Sequence, residues 1–248
     1  MENERFDGIL YTFCDGKYYV SSYEEGIETA LIRLTVNTFP VCGILEDAFR
    51  DCPTLRNIVF TDFSKGTESL VDGFEIGDYA FAGCTSLTEI NLPECVTSIG
   101  SGAFYSCTSL VKAILPNSYV GPYAFYGCTA LLYVSPLSNI AEGVFSHCKS
   151  LKNIDISVSV SEIDEDAFEH CESLVSVQIP ASVKMVGALA FRGCLAIKEI
   201  VFLDPDGWYS HNTYTDSESS INLDDPSVNA IALSRMDFDD GVTAWYKK

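Results

Sequence analysis

Ala103-Phe104-Tyr105-Ser106-Cys107-Thr108-Ser109-Leu110 is one of seven statements of a single phrase, Ala-Phe-x-x-Cys-x-x-Leu. The others open at Ala48, Ala80, Ala124, Val144, Ala167 and Ala190. Val144 replaces the Ala of the fifth copy, and Ile197 replaces the Leu of the last. Successive Phe residues lie 32, 23, 21, 20, 23 and 23 positions apart. Self-similarity at a period in the low twenties marks a solenoid. Each unit is then one winding of a coil that buries its apolar side only against the next.

The stretch between phrases predicts the rest of a winding. In Leu87-Thr88-Glu89-Ile90-Asn91-Leu92-Pro93 the apolar residues fall at 87, 90 and 92, so the second half alternates as a half-buried strand does. Pro93 ends it, having no N–H for a ladder. Val96-Thr97-Ser98-Ile99 reads as a second short extended piece with Val96 and Ile99 inward. Ala and Cys suit the sharp turn, and Phe fills the centre. Stacked windings place equivalent strands about 4.8 Å apart, so Phe, Leu and Cys side chains are each expected to form a column.

The run Leu-x-x-Ile-x-Leu-Pro-x-x-Val-x-x-Ile-Gly-x-x-Ala-Phe-x-x-Cys from Leu87 to Cys107 resembles the BspA-like, or Treponema pallidum-type, leucine-rich repeats. Leu174 to Cys194 fits almost as well. The coil from Leu131 to Phe145 departs from the pattern, being short and placing Pro136 where a strand residue is due. The resemblance spans about residues 44–203. It implies a mainly β, right-handed, curved solenoid of about seven coils with a cap at each end. It also implies a non-catalytic module of cell-surface or secreted proteins that binds a protein or glycoprotein in adhesion. The alternative is a structural spacer of a larger surface protein with no ligand of its own. The family supplies no catalytic residues.

Composition is consistent with this. The 248 residues carry 15 basic and 35 acidic side chains, a net charge of −20. Such a chain repels phosphate backbones and anionic lipid, which argues against nucleic acid as a partner. The plain reading of the charge is solubility; attraction to a basic partner is the sharper one. No apolar run approaches the length of a membrane-crossing helix, so no membrane insertion is expected. Met1 to Phe6 is acidic and polar, unlike a secretory leader. Either the natural protein lacks a leader or this is a mature chain with an added Met. Seven of the ten cysteines belong to the phrase, and parallel Cβ vectors in a stacked column predict free, buried thiols acting as small hydrophobes.

Residues 1–43 are expected to form an N-terminal β cap, with Asp15-Gly16 as a hairpin turn and a strand from Ala30 to Val36. The long first step places an insertion of about nine residues within 61–75, read as a solvated loop or a contact loop. Residues 204–248 are expected to cap the other end, with a helix around Ser227 to Ser234 entered through Asp225-Pro226. Trp208 and Trp245 serve there either as cap core or as an exposed platform.

Motifs of nucleotide-binding, serine-hydrolase, metalloprotease and dithiol enzymes are absent. No catalytic residue, metal ligand or cofactor is expected. His147 and His170 share a repeat position, so stacking could bring them together for a metal, but two surface histidines are the favoured reading. Asp237, Asp239 and Asp240 lack the rest of a calcium loop and read as a solvated turn. On the outward strand face, Val111, Ile114, Leu132 and Tyr133 are expected to make an apolar patch on the third and fourth coils. That patch is the candidate binding site.

Overall fold

The computed structural model describes residues 3–61, 73–212, 217–235 and 242–247. Among these the chain is mainly β with one short helix, wound into a solenoid of about eight turns. Two strand columns run along it. One comprises Thr29–Arg33, Asn57–Thr61, Glu89–Asn91, Lys112–Ile114, Tyr133–Val134, Ser176–Ile179 and Glu199–Phe202. Its members are parallel where they pair, with Lys112 opposite both Glu89 and Tyr133. The other comprises Lys17–Tyr23, Phe39–Ile44, Phe74–Ile76, Val96–Ile99, Tyr119–Val120, Glu162–Ile163 and Met185–Gly187. Alternation is the cause in both. Ile90, Ala113, Val177 and Ile200 face the core while their neighbours face out, and Val96 and Ile99 are buried as the pattern requires.

The phrase itself forms the third side. In each of the first six copies three amides donate to the next winding at 2.7–3.0 Å; Gly102, Phe104 and Ser106, for example, donate to the carbonyls of Pro122, Ala124 and Tyr126. Alternate amides can face one way only if the backbone flips between them. The residue before the Ala and the residue before the Cys are left-handed in all seven phrases, with φ between 53 and 73°. Side chains at these positions interleave. The ring of Tyr79 lies over Gly102 and that of Tyr123 over Gly143, so a Cβ on either glycine would stand 2.4 or 2.3 Å from the ring. Before the Cys the column runs Asp51, Gly83, Ser106, Gly127, His147, so glycine again alternates with a side chain.

Inside, the seven Phe rings form the expected column. Consecutive centroids lie 5.0–5.8 Å apart with interplanar angles of 4–18°. The column cysteines are free and buried. They are more than small hydrophobes, however: the thiols of Cys84, Cys107, Cys128, Cys148, Cys171 and Cys194 each donate to the Phe carbonyl of the preceding winding at 3.1–3.2 Å. That carbonyl also accepts an amide from its own winding, so both lone pairs are used. Burial pushes the thiols of Cys84, Cys128 and Cys194 up to about 12, and those of Cys107, Cys148 and Cys171 well upward.

One turn more than the seven phrases comes from the N-terminal region. Tyr23 stacks on Phe49 at 5.4 Å, standing in for a Phe, and Thr29–Arg33 pairs in parallel with Asn57–Thr61. The strand expected from Ala30 to Val36 is interrupted at Leu34. Asp15-Gly16 forms its turn, both residues having positive φ, and Ile9–Cys14 lies antiparallel on Lys17–Tyr23. Of the predicted insertion, residues 62–72 lie outside the described residues; Thr61 ends one strand and Phe74–Ile76 is another.

The far end substitutes for a missing winding piece by piece. Gly193, whose equivalents donate to a next coil, donates instead to the Ser234 carbonyl at the end of the helix Pro226–Ser234. Buried Asn229 donates its side-chain amide to Ile200 and Leu223 at 3.1 Å each. The strand Val242–Lys247 closes Met185–Gly187 antiparallel. Asp225 caps the helix as expected, accepting the amides of Ser227 and Val228. Trp208 and Trp245 are both buried, Trp208 packing edge-on against Phe202 at 4.9 Å, so they are cap core. After Trp208 the strand Trp208–Asn212 pairs antiparallel with the serine-rich strand Ser217–Ser220.

The short fourth coil keeps only a two-residue strand. Side chains replace the rest. Ser135 Oγ meets the amide and carbonyl of Leu115 at 2.9 and 3.1 Å. Asn139 accepts from the amide of Val120 and donates to its carbonyl at 2.9 and 2.7 Å, as a strand peptide would. Val144 fits the Ala column without disturbance, fully buried and accepting the Phe125 amide.

Phe125→Ala, in mid-column, is expected to cost about 3–5 kcal/mol of unfolding free energy in a denaturant titration. Cys14→Ser, at an exposed thiol outside the column, should stay within about 0.5 kcal/mol of the parent. In a thiol-reagent assay of the native chain Cys14 is expected to react at once, and the column thiols only on unfolding.

Candidate binding surface

The outward strand face presents three rows of side chains. Backbone bonds fix the row that precedes each strand: Val111 donates to Thr88 and Leu132 to Val111 at 2.8 and 2.9 Å. Val111, Leu132 and Tyr133 are therefore neighbours on adjacent windings, exposed by 38, 49 and 48%. Lys112 stands opposite Tyr133 and is half-buried beside it. Ile114 is half-buried two residues farther along, with Asn91 opposite it. The expected patch thus has three well-exposed members and one at its margin. Val59 and Val175 add isolated exposed apolar side chains on other coils.

Two shallow grooves on this face were not anticipated. One, of about 330 Å³, is lined by Val59, Phe60, Asn91 and Pro93. The other, of about 440 Å³, is lined by Asn153, Asp155, Ser176, Gln178 and Leu203. The second lies where the described strand column is interrupted. Between Leu151 and Val160 no named strand forms, and one isolated bridge joins Leu137 to Ile156. Nothing in the strand pattern announces this, since Leu151, Ile154 and Ile156 keep the spacing of Leu87, Ile90 and Leu92.

The opposite, turn side carries a chain of polar rings. Arg50 sits over Tyr79; Tyr105 stacks on Tyr126 at 4.6 Å, Tyr126 meets His147 at 5.2 Å, and His147 stacks on His170 at 4.8 Å. Both histidines are half-buried rather than freely exposed. Glu169 joins them, 3.8 Å from His170 and 3.5 Å from Arg192, and accepts from Ser146 Oγ at 3.3 Å. Sequence reading missed Glu169, although it adjoins His170. One ligand atom from each of His147, Glu169 and His170 lies within 4.8 Å of the other two, the one group among the described residues that could hold a metal. Burial and the neighbouring His170 lower the pKa of His147. The acidic tract Asp237, Asp239, Asp240 lies outside the described residues.

Beside this group, Tyr123 donates to Glu142, which raises the Tyr123 pKa together with burial and nearby carboxylates. Asp166 has one buried carboxylate oxygen without a hydrogen-bond partner. Burial, then the charges of Glu169, Glu165 and Glu142, push its pKa up to about 6. No pair of groups here combines a nucleophile with a base in a cleft. The arrangement can bind but offers no catalytic constellation among the described residues.

A family model described as the BspA type leucine-rich repeat region matches in six copies, over residues 43–138 and 120–223. The crystal structure of a leucine-rich cell surface protein from Faecalibacterium prausnitzii is similar, with a TM-score of 0.70 and 24% identity. That match covers 90% of this chain but 61% of the other, so this chain spans about three fifths of the relative's length. The leucine-rich repeat protein of T. pallidum is similar with a TM-score of 0.64 and 24% identity, over 78% of this chain and 90% of that one. At these identities the two structures establish the fold. No curated protein matches the chain in sequence.

Asp166→Asn is expected to stabilise the fold by about 1 kcal/mol at neutral pH, less than the full shift implies because the group is partly wet. Its folded pKa, about 6, lies above the unfolded value of 3.8. The wild-type penalty is therefore present above pH 6 and is relieved as pH falls toward 3.8. Thermal unfolding of both proteins across that window should show the advantage of the variant vanishing on acidification.

Proposed function

We propose a binding function from a family premise: the chain belongs to the BspA-type leucine-rich repeat family. Its strand face is a non-catalytic contact surface for a protein or glycoprotein, used in adhesion at a cell surface. Leucine-rich repeat domains generally mediate protein interactions, and this family and fold are typically non-catalytic. The observation that carries the reading is the exposed apolar rung of Val111, Leu132 and Tyr133, with Ile114 at its edge. Elsewhere on the face polar residues such as Thr88, Glu89, Asn91 and Asn153 interrupt apolar ones. An aromatic flanked by aliphatic side chains on a rigid sheet has the composition of an interface centre, where a few residues dominate affinity. A rigid solenoid loses little conformational freedom on binding, which favours such a face as a docking platform. The cell-surface description of the F. prausnitzii relative supports the same placement for this chain.

The test is a screen of the purified chain against immobilised extracellular-matrix and microbial surface proteins, followed by Leu132→Ser/Tyr133→Ser on any partner found. The double variant is expected to weaken binding by about 2 kcal/mol or more while its unfolding curve shifts little. Binding that survives it unchanged removes the patch from consideration.

A further inference from the structure

We propose that His147, Glu169 and His170 form a site for a divalent transition-metal ion of the zinc class, which clamps two consecutive windings. Three observations converge on it. The first is a break in pattern. From Asp51 to His147, the position before the Cys alternates between a side chain and glycine, leaving each side chain room over the next winding. The sixth phrase is due a glycine and carries His170 instead, so two imidazoles stack at 4.8 Å. His170 in turn has its room, lying over Gly193, where a Cβ would stand 2.5 Å from Nδ1.

The second is donor chemistry and reach. Two imidazoles and a carboxylate make a donor set suited to zinc, and three protein ligands leave one position for water. Donors around a tetrahedral zinc stand roughly 3.3–3.5 Å apart, given bonds of about 2.0–2.1 Å. The ligand atoms here already lie within 4.8 Å, and His170 Nε2 is 3.8 Å from Glu169 Oε1. Binding requires the two stacked rings to rotate toward the carboxylate so that their nitrogen lone pairs converge. Ser146, itself buried, holds the other oxygen of Glu169, as an outer-shell partner does in metal sites. Arg192 contacts Glu169 Oε1 and would move aside when the ion binds.

The third is location. His147 and His170 bracket the winding whose strand is missing, residues 151–160. A metal bridge on the turn side ties together the two coils that share the fewest strand bonds. Its expected effect is therefore stabilisation at the weakest junction of the described stack.

The experiment is calorimetric titration of the full chain with zinc chloride under a non-coordinating reductant. A Cys14→Ser/Cys95→Ser background removes the two thiols that are not buried. One ion per chain is expected, with a rise in thermal midpoint, and cobalt should give the visible band of a four-coordinate nitrogen–oxygen site. Glu169→Gln is expected to weaken binding at least about tenfold. His170→Gly, which restores the glycine alternation and so keeps the fold, should abolish it, while His211→Ala should leave it intact. Absence of saturable binding overturns the site. So does equal binding by His170→Gly, or loss of binding in His211→Ala.

Discussion

No winding of this chain is complete without its neighbour, and the contact that completes it is a phenylalanine ring lying flat on the ring of the next coil. The spacing of that column, 5.0–5.8 Å, sets the pitch at which everything else must meet. At that pitch, three amides per turn reach three carbonyls, and six of the seven column thiols reach the carbonyl of the Phe below. The apolar and polar parts of the coil are thus one geometric solution. A side chain too small for the column would leave a void, and a larger one would pull the amide ladder out of range.

The ends follow from the same requirement. An open winding presents a row of unpaired peptide groups and a bare apolar face, both costly and prone to wrong pairing. The N-terminal hairpin turns antiparallel against one strand column and supplies Tyr23 as a surrogate for Phe. The C-terminal segment meets each column with a different device: a helix-end carbonyl, an asparagine amide and an antiparallel strand. The two tryptophans lie beneath these devices, buried.

What could be read in the chain beforehand was whatever repeats. The Phe column, the two strand columns and the burial of the cysteines follow from period and alternation alone. What could not be read is where one element does another's task without sharing its letters. Tyr23 carries no surrounding phrase, and Asn139 imitates a peptide that nothing in its neighbourhood announces. The strand Ser217–Ser220 has weak strand propensity and forms by pairing with Trp208–Asn212, which in turn pairs with Val242–Lys247. The outward patch was legible in kind, because strand parity assigns Val111, Leu132 and Tyr133 to the outside. The depth of Ile114 was not, because it depends on the neighbouring coils. The histidine pair was visible as a shared position, whereas Glu169 enters only through the turn that carries it.

The interleaving of glycines with large residues gives the stack a memory longer than one winding. From the second to the fifth phrase, Tyr79 with Gly83, Gly102 with Ser106, Tyr123 with Gly127 and Gly143 with His147 describe two kinds of coil in succession. Loss or duplication of one unit by unequal recombination would set ring against ring in one groove and hollow against hollow in the other. Loss or duplication of two units would restore the match. Across those four windings the building block is the pair, and the stacked His147 and His170 mark where that rule ends.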